Sequence, residues 1–130
     1  MLDPSRDTDA FPIDGCPIRN VLDRIGDRWS VLVMLMLEDG DPVRFSVLKR
    51  RIGDISQRML AQTLRRLEQD GFLVRTVHAT VPPQVDYALT ELGRSFRQPL
   101  SGLVAWADAH QEAVLAARAA YVPPPRQPAL

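Results

Sequence analysis

The chain has 130 residues, is 45% hydrophobic and 25% charged, and balances sixteen basic against sixteen acidic side chains, so total charge announces no nucleic-acid partner. Its size fits one domain with tails. The lone cysteine, Cys16, excludes an intrachain disulfide scaffold, and the longest unbroken apolar run, Val31 to Leu37, is far too short to span a bilayer. No basic-then-apolar signal pattern opens the sequence, and a cytoplasmic location is expected.

In chain order, residues 1–15 are polar, acidic and punctuated by Pro4 and Pro12, the composition of a flexible arm. Pro17 opens a first helix, since proline is suited to the first helical position. Ile18, Val21, Leu22 and Ile25 follow at helical spacing and Gly26 stops it. A second helix, about Arg28 to Asp39, is apolar nearly all round and belongs in a core. Asp39-Gly40-Asp41-Pro42 reads as a turn, Val43-Arg44-Phe45 as a short strand, and Ser46 as the cap of a third helix carrying Leu48 and Ile52 inward.

Gly53 breaks that helix and Ser56 caps the next, roughly Gln57 to Asp70, ended by Gly71. Two helices joined by a short glycine-containing turn have helix-turn-helix spacing. Strand formers then run from Phe72 to His78, Val81-Pro82-Pro83 makes a turn, and Val85, Tyr87 and Leu89 alternate as a half-buried strand, which together form a β-hairpin wing. Thr90 caps a helix through Arg97, which Pro99 kinks or restarts. The last helix carries Leu100, Leu103, Val104, Trp106 and Ala107 and continues to Ala120. The proline-rich residues 121–130 form a tail unlike a packed segment. The predicted class is mainly α with a small β-hairpin (α+β), a winged helix-turn-helix domain over 16–120.

Charge is unevenly spread: between Arg44 and Arg75 stand eight basic residues and three acids. Such a stretch attracts phosphate or is simply a solvated surface. The helix after Ser56 makes the first reading sharper. Leu60, Leu64 and Leu67 form one stripe with Met59 alongside, and Arg58, Gln62, Arg65 and Gln69 form the opposite one. Arginine bonds guanine O6 and N7 in bidentate fashion, and glutamine does so with adenine N6 and N7. Gln57, Arg58 and Gln62 are therefore candidates for bases, Ser56 with the first-turn amides for a phosphate, and Arg65 for the backbone. Arg44, Arg75, His78 and Thr80 are candidates for phosphate or minor-groove contact, or are solvated wing residues.

These segments resemble the HxlR-type family, a branch of MarR-like winged-helix regulators. The resemblance is carried by Cys16-Pro17, Ile25-Gly26-Asp27-Arg28-Trp29, Phe45-Ser46-Val47-Leu48, Ile52 to Leu60, Leu64 to Leu73, and Pro82 to Gly93, in that order and spacing, and covers roughly Gly15 to His110. Arginine replaces lysine outward, and Asp86 stands where glutamate is common. The resemblance implies a DNA-binding transcription regulator, a repressor in many relatives, acting as a homodimer through its first and last helices. Ile18, Leu22, Leu103, Trp106 and His110 are the interface candidates, with intramolecular core the alternative for Trp106. A two-fold dimer would read a palindrome.

Cys16 stands where several relatives sense oxidants or electrophiles. The helix N-terminus and Arg19 favour a thiolate and Asp14 opposes it. It is either a redox sensor responding to an oxidant or small-molecule effector, or a small residue packing the helix start. No catalytic constellation, metal site or cofactor is expected, because His78 and His110 lie on different elements without ligand partners. A winged helix used only for protein–protein contact is the main alternative; the retained Arg58, Arg65 and Arg66 favour double-stranded DNA.

Overall fold

Backbone hydrogen bonds left over at helix ends decide where the elements begin and stop. The computed structural model describes residues 15–37 and 40–126; the expected arm up to residue 14 and the end of the proline tail, 127–130, lie outside them. Helix α1 (Pro17–Ile25) starts at proline and is capped by Gly26, as expected. Cys16 is its N-cap residue, and the Cys16 carbonyl accepts from the Asn20 N–H at 3.0 Å.

Helix α2 (Ser30–Met36) starts two residues later than the apolar pattern predicts. The Asp27 carboxylate accepts from the N–H groups of Trp29 at 2.8 Å and Ser30 at 2.9 Å, so residues 28 and 29 form a lead-in turn. Its expected end, at Glu38 and Asp39, lies outside the described residues. Val33, Met34 and Leu37 are buried and the other apolar side chains of α2 half-buried, in keeping with a central helix.

Strand β1 (Val43–Arg44) runs directly into α3 (Phe45–Ile52), and this corrects the expected role of Ser46. The cap position falls on Arg44, whose backbone is already extended (φ −71°, ψ 152°) because it pairs with Asp86 across the sheet. Ser46 is left in the first turn, exposed. Gly53 closes α3 at φ 90°, a conformation side-chain-bearing residues rarely adopt.

Helix α4 (Gln57–Gln69) begins at Ser56, whose Oγ accepts from the Met59 N–H at 3.0 Å. It ends in a Schellman motif: the Gly71 N–H donates to the Glu68 carbonyl and the Phe72 N–H to the Leu67 carbonyl, both at 3.0 Å, with Gly71 at φ 82°. Leu60, Leu64 and Leu67 are buried to 1% exposure or less, each worth about 1.5–3 kcal/mol of transfer free energy.

Strands β2 (Leu73–His78) and β3 (Gln84–Leu89) form the predicted hairpin, and β1 adds to its far side, giving an antiparallel sheet in the order β1-β3-β2. Thr90 caps α5 (Glu91–Ser95), its Oγ1 accepting from the Gly93 N–H at 3.1 Å. That helix stops at Ser95, short of the expected Arg97, and α6 (Arg97–Ala120) starts after Phe96. Pro99 therefore sits in the first turn of α6, where its missing N–H leaves no intrahelical bond unmade.

The chain divides into two compact units, residues up to Arg97 and residues from Gln98 on. The first holds the α2–α3–α4 core and the sheet. In the second, α6 has Leu100 buried and Val114 half-buried, while its other side chains are exposed, and 121–126 are irregular and exposed. Among the described residues no helix is long and apolar enough to cross a membrane.

Candidate nucleic-acid interface

Helix α4 sorts its side chains onto two faces. Leu60, Leu64 and Leu67 point into the core, joined by Thr63, which the sequence reading left out; Thr63 is fully buried, with its Oγ1 donating to the Met59 carbonyl at 2.8 Å. That internal bond lets a polar residue lie on the core face. Gln57, Arg58, Gln62, Arg65 and Gln69 are all exposed. The first-turn amides of Gln57 and Arg58 have no intrahelical carbonyl to reach, while that of Met59 is taken by Ser56.

Arg66 does not join this outward face, although it was grouped with Arg58 and Arg65. Its Nη2 donates to Asp27 Oδ2 at 3.3 Å and its Nε is buried.

The wing candidates separate by sheet register. Val43, Tyr87 and Arg75 are mutual partners across the strands, as are Arg44, Asp86 and Thr76, so Arg75 and Arg44 project from opposite faces. Arg75 lies on the α4 side, with Nε 3.9 Å from Glu68 Oε1. Burial pushes the Tyr87 phenol up; the charges of Arg75 and Arg65 pull it down, and Glu68 adds to the rise. Arg65 and Arg75 thus share a neighbourhood around Tyr87. On the other face, His78 Nε2 lies 2.8 Å from Asp86 Oδ2. The Thr80 hydroxyl donates to the Pro82 carbonyl at 2.7 Å, closing the wing tip. Arg44, Arg75, His78 and Thr80 remain exposed, but His78 and Thr80 already have partners within the wing.

Two groups escaped assignment from the sequence. Lys49, Arg50 and Arg51 form the last turn of α3, where cations complement the helix dipole, and Arg50 and Arg51 are exposed. Three consecutive basic residues before Gly53 were a readable signal for phosphate contact. The second group is a polar corner between α1 and α2. Asp27 takes the hydroxyl of Ser30 at 2.5 Å besides the bonds already described. Burial works to raise the Asp27 carboxyl, yet the hydrogen bonds of Ser30 and Trp29 and the Arg66 charge outweigh it and hold it below its ordinary value. Arg24 Nε donates to Asp70 Oδ2 at 2.6 Å, which raises the Arg24 guanidinium further. Arg28 pairs with Asp54 at 2.9 Å and lies 4.7 Å over the Trp29 ring.

Of the interface candidates, Ile18 and Leu22 on α1 are exposed. Within the second unit Leu103 is 55% and Trp106 56% exposed, so Trp106 is not buried as core. The His110 ring stacks on Trp106 at 4.5 Å, and its Nδ1 lies 2.9 Å from the Trp106 carbonyl oxygen. Cys16 is buried, at 4% exposure.

A short helix, a glycine turn, an outward-facing polar helix and a three-stranded wing define a winged helix-turn-helix. Residues 24–114 match the HxlR-like helix-turn-helix family, and the chain belongs to it. It is 46% identical over 103 residues to the HTH-type transcriptional regulator YtfH of Escherichia coli (strain K12), covering 79% of this chain and 81% of that one. Solved structures of other proteins share the fold, two of them as follows. One is the transcriptional regulator YtfH from Salmonella typhimurium (TM-score 0.71, 45% identity, covering 80% of this chain and 92% of that one). The other is the redox regulator HypR in its reduced form (TM-score 0.72, 35% identity, covering 77% and 98%).

Proposed function

We propose that this chain is a sequence-specific, DNA-binding transcription regulator that represses from a palindromic operator as a homodimer. The observation that carries the reading is the two-faced α4, with Leu60, Leu64 and Leu67 buried and Gln57, Arg58, Gln62 and Arg65 exposed beside it. Such a helix fits the major groove with its N-terminal half toward the bases. Arg58 with Gln57 and Gln62 reads base edges. The Ser56 cap with the first-turn amides, Arg65, and the α3 cations Arg50 and Arg51 hold phosphates. Arg75, on the α4 side of the wing, extends this contact; Arg44, and His78 and Thr80 once released from their wing partners, meet the flanking duplex.

Two such units related by a two-fold axis meet half-sites about one helical turn apart. The exposed Ile18 and Leu22, and the exposed Leu103, Trp106 and His110, supply apolar surface for that pairing. Cys16 is the redox-sensing candidate, supported by its N-cap position on α1 and by the likeness to HypR. Because the thiol is buried, oxidation by a peroxide or attack on an electrophilic quinone requires the start of α1 to open.

Titration of an unrelated duplex at low and then rising salt tests the core of this reading. Binding should weaken steeply with salt and be accompanied by no turnover. Salt-insensitive or absent binding would identify a protein–protein module instead. Cys16→Ser should leave DNA affinity intact and abolish its response to peroxide and quinone; an unchanged response ends the sensor role.

A further inference from the structure

We infer that two crossed ion pairs, Arg24–Asp70 and Asp27–Arg66, fix the register and pitch of α4 against the α1–α2 corner and thereby act as positioning residues for specific DNA recognition. The inference rests on the DNA-binding reading above and concerns how its reading helix is held. Arg24 lies in the last turn of α1 and Asp27 just beyond its Gly26 cap; Arg66 lies in the last turn of α4 and Asp70, four residues on, is its C-cap. The bonds run from Arg24 Nε to Asp70 Oδ2 at 2.6 Å and from Arg66 Nη2 to Asp27 Oδ2 at 3.3 Å, between residues 46 and 39 positions apart.

The signs make this pattern a register lock. Sliding α4 by one turn in one direction brings Asp70 to Asp27; sliding it the other way brings Arg66 to Arg24. Either slip replaces attraction by like-charge contact, so only one alignment is favoured. A half-exposed pair contributes little to global stability, which leaves placement as its main effect. Asp27 is itself held by Ser30 and by two backbone N–H groups, so Arg66 bonds to a rigid anchor.

The clamp lies at the far end of α4 from the base-reading residues. Arg58 precedes Arg66 by eight residues, about 12 Å along a helix, so a tilt of about 5° at the clamp displaces Arg58 by about 1 Å. Base readout needs placement to about half that. Arg24 also belongs to α1, which carries Ile18 and Leu22, so the clamp joins the reading helix to the surface proposed to meet the partner subunit.

The test uses the full chain and two duplexes of equal length, one selected by the wild-type protein from a random pool and one unrelated. Arg66→Met and Asp70→Asn should each lose about five- to tenfold affinity for the selected duplex, keep their affinity for the unrelated one, and keep the wild-type salt slope. Asp70→Asn is the sharper variant. It makes the chain more positive, so a plain charge effect would strengthen binding rather than weaken it. Arg24→Asp alone and Asp70→Arg alone should behave like Asp70→Asn, and the two together should recover most of the loss. Should Arg66→Met fail to fold, the Arg24 and Asp70 variants decide the matter alone.

Equal losses on both duplexes with a salt slope shallower by about one would make Arg66 a phosphate contact and overturn the inference. So would folded single variants that bind the selected duplex as the wild type does, or a double variant no better than its parents. Failure of the DNA-binding reading itself would show earlier, in a wild-type chain that binds neither duplex.

Discussion

Helices α4 and α6 both carry leucines at helical spacing, and they have opposite fates. In α4 the leucine stripe is covered by the chain's own core and the polar face is left to solvent. In α6 Leu100 is buried and Val114 half-buried, while Leu103, Val104, Trp106 and Leu115 stay exposed. Periodicity says that a helix has an apolar side; it does not say whose surface will cover it. The first helix is anchored by its own fold and offers hydrogen bonds outward. The second offers apolar area, the surface proposed above to meet a second copy of the chain.

The largest expected effect separates the two. Leu64→Ala should cost about 2–5 kcal/mol of unfolding free energy, equally at every protein concentration, because it opens a cavity inside one chain. Chemical denaturation at two concentrations checks this. Trp106→Ala should instead act on association. With Trp106 in the proposed dimer contact, a loss of about 2 kcal/mol or more in association free energy is expected, read as dissociation in sedimentation at micromolar concentration. If Trp106→Ala left association untouched, the contrast drawn between the helices would break.

Within α4 the contrast becomes one between bases and backbone. Arg58→Ala should cost about 1–3 kcal/mol on the selected duplex and relax its preference. Arg65→Ala, further along the helix and near Arg75 and Glu68, should weaken all duplexes alike and flatten the salt slope by about one. A titration series with these outcomes exchanged would exchange the two roles.

The boundaries of α4 were legible because their causes are local. Ser56 caps three residues ahead, and Gly71 supplies the positive φ that ends the helix. The start of α3 was not legible at Ser46, because Arg44 takes its extended backbone from a partner, Asp86, 42 positions away. The outward arginines and glutamines could be listed from spacing alone, yet the inward turn of Arg66, counted only with the retained basic residues, could not be read, since its partner Asp27 lies 39 positions upstream. His78 was an intermediate case. The hairpin register places it beside Gln84 and diagonal to Asp86, so a counted turn would have found its partner. Local capping and turn chemistry can be read along a chain, whereas ion pairs between distant elements depend on the packing that brings those elements together.

The smallest expected effect concerns that same corner and sharpens the distinction between anchored and free charges on α4. Asp27 is held below the ordinary carboxylate value of 3.8: burial opposes ionisation, but the Ser30 and Trp29 bonds and the Arg66 charge outweigh it. A group depressed in the folded state contributes stability above its unfolded value, and that contribution fades as pH falls through the folded one. Asp27→Asn keeps an oxygen for the Trp29 and Ser30 N–H groups but cannot titrate. The variant should therefore be less stable than wild type near neutrality, and the difference should shrink once the pH drops below about 3.8, as the wild-type carboxylate takes up its proton. Arg58 and Arg65, which form no ion pair among the described residues, should give variants whose stability runs parallel to wild type through the same range. Denaturant midpoints followed from neutral pH into acid measure both. Parallel curves for Asp27→Asn would mean that the carboxylate acts only as a neutral cap, and that Arg66 is as unanchored as its outward neighbours.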